Sequence, residues 1–401
     1  MVSNMTSSPD AQEKESSRKA EKHIAFLDPI RGAAILSVFL FHAFGATFHT
    51  LDLKWLGTLR DWNVSASFLA LLPVTLGWMG VAIFFVVSGF CIHLSHERSR
   101  QKSFKVFFIR RFFRIYPPYL LALCFFAFVY PPTRLDFSSA LMHTHTAFTY
   151  SCVTTSAHLL LIHNFFGYFN KSINGSFWSI AVEVQLYALY PLLLWLVSHL
   201  GWKSTLYLTA LIEFSLRGLQ GILSVFLPEV SLTGWFDESP LIFWYSWSVG
   251  AVLADAYLKN GPLPFQKTPL LLWPVLAVSC NFWKPLFPFC FTLAALSIAV
   301  VISRFLTRPS PTLPQGGIQG LLIRHLAWVG TISYSAYLLH QPLVEQMPAL
   351  LHRFLPTESI PSLVCYGFSI LAWFPILALS YVFYRWIELP SIAWGKRIVD
   401  N

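Results

Sequence analysis

The stretch that decides the fold reads GVAIFFVVSGF, from Gly80 to Phe90, and lies within a longer apolar run over residues 78–95. A helix of about 20 such residues spans the ~30 Å hydrocarbon core of a bilayer. The rest of the chain has the same character: 55% of its 401 residues are hydrophobic, 12% are charged, and the mean hydropathy is +0.56. Soluble domains carry about 25% charged residues. The composition therefore predicts a protein for which lipid is a large part of the solvent.

Runs of this kind recur along the chain and predict an all-α, polytopic transmembrane bundle. We expect about ten spans, near residues 30–48, 78–95, 117–131, 178–199, 204–226, 240–258, 270–282, 285–305, 326–344 and 362–386. The run 270–282 is too short to cross as a plain helix, so a tilted or re-entrant piece stays open. Merging it with the next run would leave nine spans.

The basic residues predict the orientation of these spans. With the N-terminus in the cytosol, 20 of the 28 Lys and Arg residues fall on the cytosolic side and 6 on the outer side. This is the positive-inside pattern. Residues 1–25 are then a disordered cytosolic tail without a cleavable signal, 26–396 the membrane domain, and 397–401 a short cytosolic tail. The net charge of +9 has the same explanation, so no nucleic-acid partner is expected.

Ionisable residues within apolar runs are candidates for function, because each costs about 2.5–3.5 kcal/mol at the bilayer centre on insertion scales. Arg31 and His42 lie eleven residues apart in the first span. At ~100° per residue they share one helix face, about 16 Å apart along the axis. A snorkelling arginine and a packing histidine remain an equal alternative.

Three titratable groups are expected in the outer third of the membrane. Helical rise places His42, Glu183 and His340 there, each on a different span. A shared depth on three spans is harder to explain by packing alone. In contrast, Glu213 and Arg217, four residues apart, are expected to neutralise each other.

No metal site is expected, although the outer loop holds His143 and His145, because no further ligands accompany them. The six cysteines are scattered through apolar runs, which makes a disulfide framework unexpected as well.

The basic segment between the second and third spans reads KVFFIRRFFRIYP, over residues 105–117. Its positive charge alone would hold a loop in the cytosol. The sharper hypothesis is a phosphate-binding cluster of Arg110, Arg111 and Arg114, since Arg111 and Arg114 can share one helical face.

Taken in order, these segments resemble the acyltransferase-3 family of membrane acyltransferases. The resemblance runs from Phe26 to Lys396 and is carried by Leu27–Arg31 with the spacing to His42, by Gly80–Phe90, Arg111…Arg114, Trp178…Glu183, Tyr334…His340 and Tyr384…Pro390. The chain departs from the family's common Gly, Asp and Arg at Pro29, Ala82 and Leu389. These departures leave the proposed catalytic groups in place.

The resemblance implies an O-acyltransferase that uses acyl-CoA, acetyl-CoA by default, as cosubstrate and holds no permanent cofactor. It implies a hydroxyl acceptor on a carbohydrate or small natural product, with membrane lipids around the protein. The polyanionic CoA would meet Arg31, Arg110, Arg111 and Arg114.

Within this scheme His42 is the best general base, because a neutral imidazole accepts a proton near neutral pH. Glu183 would orient His42 or stabilise its imidazolium. His340 would bind the acceptor or polarise the carbonyl. Direct transfer and an acyl-histidine intermediate both remain open.

Two other classes of protein fit the same composition. A secondary transporter of a small organic solute would also place ionisable groups among about ten spans, but it should show inverted repeats and paired broken helices. The sequence displays neither feature. The second alternative is a catalytically inactive sensor or scaffold. A mild argument against it is the presence of His42, Glu183 and the arginine cluster.

Overall fold

A computed structural model describes residues 26–48, 71, 73–99, 101–130, 145–227, 236–307, 316–355 and 360–400. Over these residues the chain is helical and contains no β-strand, which confirms the all-α prediction. The predicted tail 1–25 lies outside the described residues. The α-helices are α1 Leu27–Phe48, α2 Gly80–Glu97, α3 Phe104–Cys124, α4 His145–Leu159, α5 Phe177–Phe226, α6 Trp244–Leu258, α7 Leu272–Asn281, α8 Cys290–Leu306, α9 Gly317–Thr331, α10 Ser333–Glu345, α11 Met347–Phe354, α12 Ser362–Leu371, α13 Trp373–Phe383 and α14 Leu389–Asp400.

Several of these helices match the predicted spans in length. Within the described residues, 7 helical runs are long and apolar enough to cross a membrane: Leu27–Phe48, Pro73–Glu97, Phe104–Val129, Phe177–Phe226, Pro240–Leu258, Phe287–Leu306 and Ser362–Asp400. Helix α7 has 10 residues and is as short as its sequence predicts. The count of about ten spans and the cytosolic termini stay predictions.

Helix α5 is interrupted at Gly201, where φ is 74° and ψ is 165°. A side chain rarely adopts this positive φ, whereas glycine does so at little cost. The break falls between the predicted spans 178–199 and 204–226, so the 50-residue run consists of two helical parts.

Helix α3 begins earlier than the sequence predicts. The expected loop 96–116 is helical from Phe104 onward, and the helix continues through Pro117 and Pro118. Pro117 has no N–H to donate to the carbonyl of Phe113, four residues earlier. The hydroxyl of Ser391 in α14 donates to that carbonyl instead. Packing against α14 thus compensates for the proline and carries the basic cluster on a helix.

A second proline is compensated in the same way beside the candidate site. Pro342 in α10 leaves the carbonyl of Leu338 without its helical partner. The Nδ2 of Asn174 donates to this carbonyl at 2.9 Å. The bond anchors the segment before α5 against α10, next to His340.

Glycines let two helix pairs approach to backbone contact. A Cβ added at Gly89 of α2 or at Gly250 of α6 would lie 2.0 Å from a carbonyl oxygen of the other helix. Gly32 and Gly330 bring α1 and α9 equally close, with 1.9 Å to the opposing carbonyl. Small residues at such crossings are the usual way in which membrane helices pack.

The expected pairing of Glu213 and Arg217 is confirmed. Arg217 Nε lies 3.2 Å from Glu213 Oε1, and both side chains are buried. The same carboxylate accepts hydrogen bonds from the hydroxyls of Ser246 and Thr292. Arg217 also donates to two backbone carbonyls from other segments. This cluster therefore joins α5 to α6 and α8 as a satisfied structural network.

Candidate active site

A cavity lies among α1, α2, α3, α5 and α10, with about 780 Å³ of empty space up to its open mouth. Below it is called the main cavity. The polar residues in its wall are Arg31, Ser88, Cys91, Arg111, Arg114, Ser179, Glu183, Tyr187, Ser333, Tyr334 and Tyr337. Three of the four arginines singled out in the sequence therefore line one cavity together with Glu183.

Arg31 is held in place at the start of α1. Its Nη1 donates to Asp28 Oδ1 at 2.8 Å, and its Nη2 lies 3.0 Å from Cys91 Sγ. Asp28 stands in the first turn of α1, three residues before Arg31. The ion pair fixes the guanidinium in the cavity wall while 22% of its side-chain surface stays exposed.

The arginines of α3 differ in their partners. Arg114 Nη1 is 4.0 Å from Glu388 Oε1, whose side chain is 1% exposed. Arg111 Nη2 donates to a serine hydroxyl at 3.3 Å and lines the main cavity. Arg110 lies beside that cavity, in a smaller pocket that it shares with Arg111. The predicted cluster is thus divided between two adjoining spaces.

Glu183 lines the main cavity and is held in place by hydrogen bonds from neighbouring hydroxyl groups. Its Oε1 accepts hydrogen bonds from Ser88 Oγ at 2.8 Å and from Tyr187 OH at 2.5 Å. Ser88 in turn accepts one from Trp247 Nε1 at 3.3 Å. Glu183 also interacts electrostatically with Arg31. The carboxylate is therefore positioned on the arginine side of the site.

The other two predicted groups meet each other. The rings of His42 and His340 have their centroids 5.2 Å apart, at an angle of 58°. His340 is fully buried, and its Nδ1 lies 2.9 Å from the carbonyl oxygen of Tyr337. Since a carbonyl only accepts, Nδ1 carries the proton and Nε2 is the basic nitrogen of the neutral ring. Nε2 lies 3.5 Å from Ser176 Oγ.

Tyr337 connects the histidine pair to the main cavity. Its side chain lines the cavity, its ring centroid is 5.3 Å from that of His340, and its hydroxyl is 2.7 Å from Ser179 Oγ. Among the described residues that line the cavity there is no histidine. One tyrosine side chain thus separates the histidines from the space that the arginines share.

Sequence reasoning did not assign roles to the hydroxyl residues of this site. Ser88, Ser179, Tyr187 and Tyr337 form its hydrogen-bond network, and three of them lie inside segments that carry the family resemblance. Serine and tyrosine are common in membrane helices, so composition gave them no weight. His143 lies outside the described residues.

The chain is similar to two curated proteins and matches one protein family. A putative peptidoglycan O-acetyltransferase of Bacillus subtilis, YrhL, is 25% identical over 80% of this chain and 49% of its own length. The peptidoglycan O-acetyltransferase OatA of Listeria monocytogenes is 23% identical over 94% of this chain and 57% of its own length. The chain thus spans about half the length of the curated relatives it matches.

No solved structure matches the chain. A family described as an acyltransferase domain matches residues 24–385, nearly the whole membrane domain. The match agrees with the resemblance read from Arg31, His42 and the motifs that follow them. This integral, multi-pass membrane protein belongs to the acyltransferase-3 family.

Proposed function

We propose that the protein is an O-acyltransferase that moves an acyl group from cytosolic acyl-CoA to a hydroxyl of a carbohydrate or small natural product. The observation that carries the proposal is that the arginine-lined cavity and the histidine pair both contact Tyr337. Three arginines and Glu183 line one cavity, and Tyr337 in the same wall contacts the histidine pair. This arrangement supports a scheme in which a polyanionic donor binds at the arginines and a histidine acts as general base next to them.

The donor's phosphates would bind at the arginine end. Guanidinium groups form charge-assisted, often bidentate hydrogen bonds with phosphate oxygens. Arg31, Arg111 and Arg114 converge there from α1 and α3. The thin pantetheine arm would then extend along the apolar wall toward Tyr337, and the thioester would arrive near the histidines.

His42 acts as general base in this scheme. It takes the proton of the acceptor hydroxyl while the oxygen bonds to the thioester carbon; the carbon–sulfur bond then breaks and CoA leaves as the thiolate. His340, whose Nδ1 bonds to the carbonyl of Tyr337, would use Nε2 to bind the acceptor. In the alternative route a histidine nitrogen bonds to the thioester carbon and CoA leaves as the thiolate. The acceptor oxygen then displaces the imidazole from the acyl carbon, and the hydroxyl proton passes to the freed ring nitrogen.

Glu183 contributes charge on the donor side in this scheme. Its hydrogen bonds to Ser88 and Tyr187 hold it close to Arg31, where it limits the excess positive charge of the empty cavity.

The relatives support a choice of acyl group and acceptor class. Both are named as acetylating peptidoglycan, which favours acetyl as the group and a carbohydrate hydroxyl as the acceptor.

The test is a comparison of cells that produce the wild-type chain with cells that produce His42→Ala at equal membrane abundance. Mass spectrometry of metabolites and glycans should find an acetylated product only with the wild type. His325→Ala, which removes an exposed histidine of α9, is the matched control and should keep the product. Equal product from His42→Ala would remove this residue from the mechanism. Solute flux into vesicles without acyl-CoA would favour a transporter instead.

A further inference from the structure

A second, smaller pocket adjoins the main cavity where α2 ends and α3 begins. It holds about 240 Å³ of empty space up to its mouth. The polar residues of its wall are Ser95, His96, Ser99, Gln101, Ser103, Arg110 and Arg111. Arg111 lines both spaces. The two spaces are therefore neighbours, with Arg111 in the wall of each.

The guanidinium groups of the two arginines in this pocket form few hydrogen bonds within the protein. Arg110 Nη1 and Arg111 Nη2 each donate to one serine hydroxyl, Ser99 Oγ and Ser95 Oγ, at a long 3.3 Å. The Nε groups of both arginines are buried and have no hydrogen-bond partner in the part of the chain that the structure describes. Each guanidinium offers five N–H donors. Each guanidinium therefore has N–H donors beyond its single hydrogen bond to a serine.

Three other arginines of the bundle are paired differently. Arg31, Arg114 and Arg217 each have a carboxylate partner. Among the described residues no carboxylate pairs with Arg110 or Arg111. Two adjacent cations that are partly withdrawn from water need a counter-charge. Glu183 interacts electrostatically with Arg111 but forms no ion pair with it in the described part of the chain. The pocket is therefore set up for an anionic ligand.

We infer that this pocket binds the phosphomonoester on the ribose of the acyl-CoA donor, while the diphosphate lies at Arg31 and Arg114. The inference rests on the proposed function. Two guanidinium groups and the serine hydroxyls supply donors from several directions, which suits a tetrahedral phosphate. Arg111, shared by both spaces, lies between the two phosphate positions. The pocket would thus select donors that carry this phosphate.

The experiment measures binding of acetyl-CoA and of 3′-dephospho-acetyl-CoA to the full-length protein in nanodiscs of neutral lipid. We expect the wild type to bind the dephospho donor at least about tenfold more weakly, as the loss of charge-assisted hydrogen bonds implies. In Arg110→Gln the two donors should bind alike, within about threefold, because the group that tells them apart is gone. Ser99→Ala is a smaller change and should reduce the difference in affinity between the two donors only in part. Lys105→Gln, which removes an exposed charge from the same helix, should keep it.

Each contrary outcome has a distinct meaning. A wild type that binds both donors equally overturns the inference and leaves the proposed function intact. Equal weakening of both donors by Arg110→Gln also overturns it, because the arginine then acts only through general charge. A second arm adds phosphatidylglycerol to the nanodiscs. If Arg110→Gln weakens only the binding of this lipid and the two donors bind alike, an anionic lipid fills the pocket and the inference is overturned. A wild type that binds neither donor overturns the proposed function together with the inference.

Discussion

The described residues contain two pairs of histidines in ring contact, and the pairs differ in nearly everything else. His42 and His340 meet at 5.2 Å with their rings inclined by 58°. His158 and His163 stack at 3.9 Å with their rings nearly parallel, at 6°. His340, His158 and His163 are all fully buried. Burial and proximity alone therefore do not distinguish a candidate catalytic pair from a packed one.

The surroundings distinguish the two pairs. His158 Nδ1 lies 2.8 Å from the carbonyl oxygen of Thr154, and its Nε2 has no hydrogen-bond partner among the described residues. Burial lowers the pKa of His158 to about 4, so its ring stays neutral. His340, in contrast, contacts Tyr337, which lines the main cavity. The candidate site is therefore distinguished by its contact with a cavity that charged side chains line, and not by contact between two imidazoles.

The largest expected effect comes from the first pair. His42→Gln should lower kcat/KM for acyl transfer by about 10²–10⁴-fold, the usual contribution of a general base. If His42 and His340 act as a unit, the double variant with His340→Gln should be little worse than the more damaging single variant. The measurement is acyl transfer per mole of folded protein.

The second pair supplies the control for this result. His158→Gln should leave kcat/KM within a few-fold of wild type once the folded fraction is accounted for. Losses that simply multiply in the double variant of the first pair would show that His42 and His340 work separately.

The packed pair should make stability depend on pH. With the pKa of His158 at about 4 in the folded protein and 6.5 ordinarily, the unfolded chain binds a proton between these values and the folded chain does not. The free energy of unfolding should therefore fall as pH drops from 6.5 to 4, by at most ~3 kcal/mol. Burial lowers the pKa of His163 as well, which adds in the same direction.

Thermal unfolding of the protein in detergent across this range provides the measurement. Carboxylates also titrate there, so the comparison is with His158→Gln, whose melting temperature should change less steeply with pH. Equal slopes for the two proteins would mean that the His158 ring is not held neutral by the fold.

Sequence patterns predicted the helical class and most of the apolar runs, because burial in lipid demands long uncharged segments. They missed the start of α3, since Pro117 signals a helix boundary and only the contact of Ser391 with the Phe113 carbonyl offsets it. They also found the arginines and histidines, which are rare in apolar runs. They could not show that Glu183 bonds to Ser88 and Tyr187, because that contact depends on how three segments pack.

A smaller effect is expected from Glu183→Gln, which keeps the shape of the side chain and removes its charge. Hydrogen bonds from Ser88 and Tyr187 to a carboxylate are stronger than those to an amide, so acyl transfer should fall about tenfold. Glu97→Gln is a matched control, since Glu97 pairs with Lys102 near the end of α2, away from the main cavity. No change in Glu183→Gln would limit this carboxylate to a structural role.

The smallest expected effect is that of Tyr337→Phe, which keeps the ring contact with His340 and removes the hydroxyl bonded to Ser179. One hydrogen bond corresponds to about a threefold to tenfold loss of acyl transfer. Ser179→Ala should produce the same loss, and combining the two changes should add nothing. If the double variant instead loses the activity of both single changes multiplied together, Tyr337 and Ser179 act independently.

The most direct test of the account is a structure of the full-length protein with a non-hydrolysable thioether analogue of acetyl-CoA. We expect the acyl carbon of the analogue about 3–3.5 Å from an imidazole nitrogen of His42 or His340 or from an acceptor oxygen that one of them contacts. The phosphates should lie against the arginines of α1 and α3. An analogue bound elsewhere, or with its acyl carbon kept on the arginine side of Tyr337 and away from both rings, would contradict the proposed mechanism.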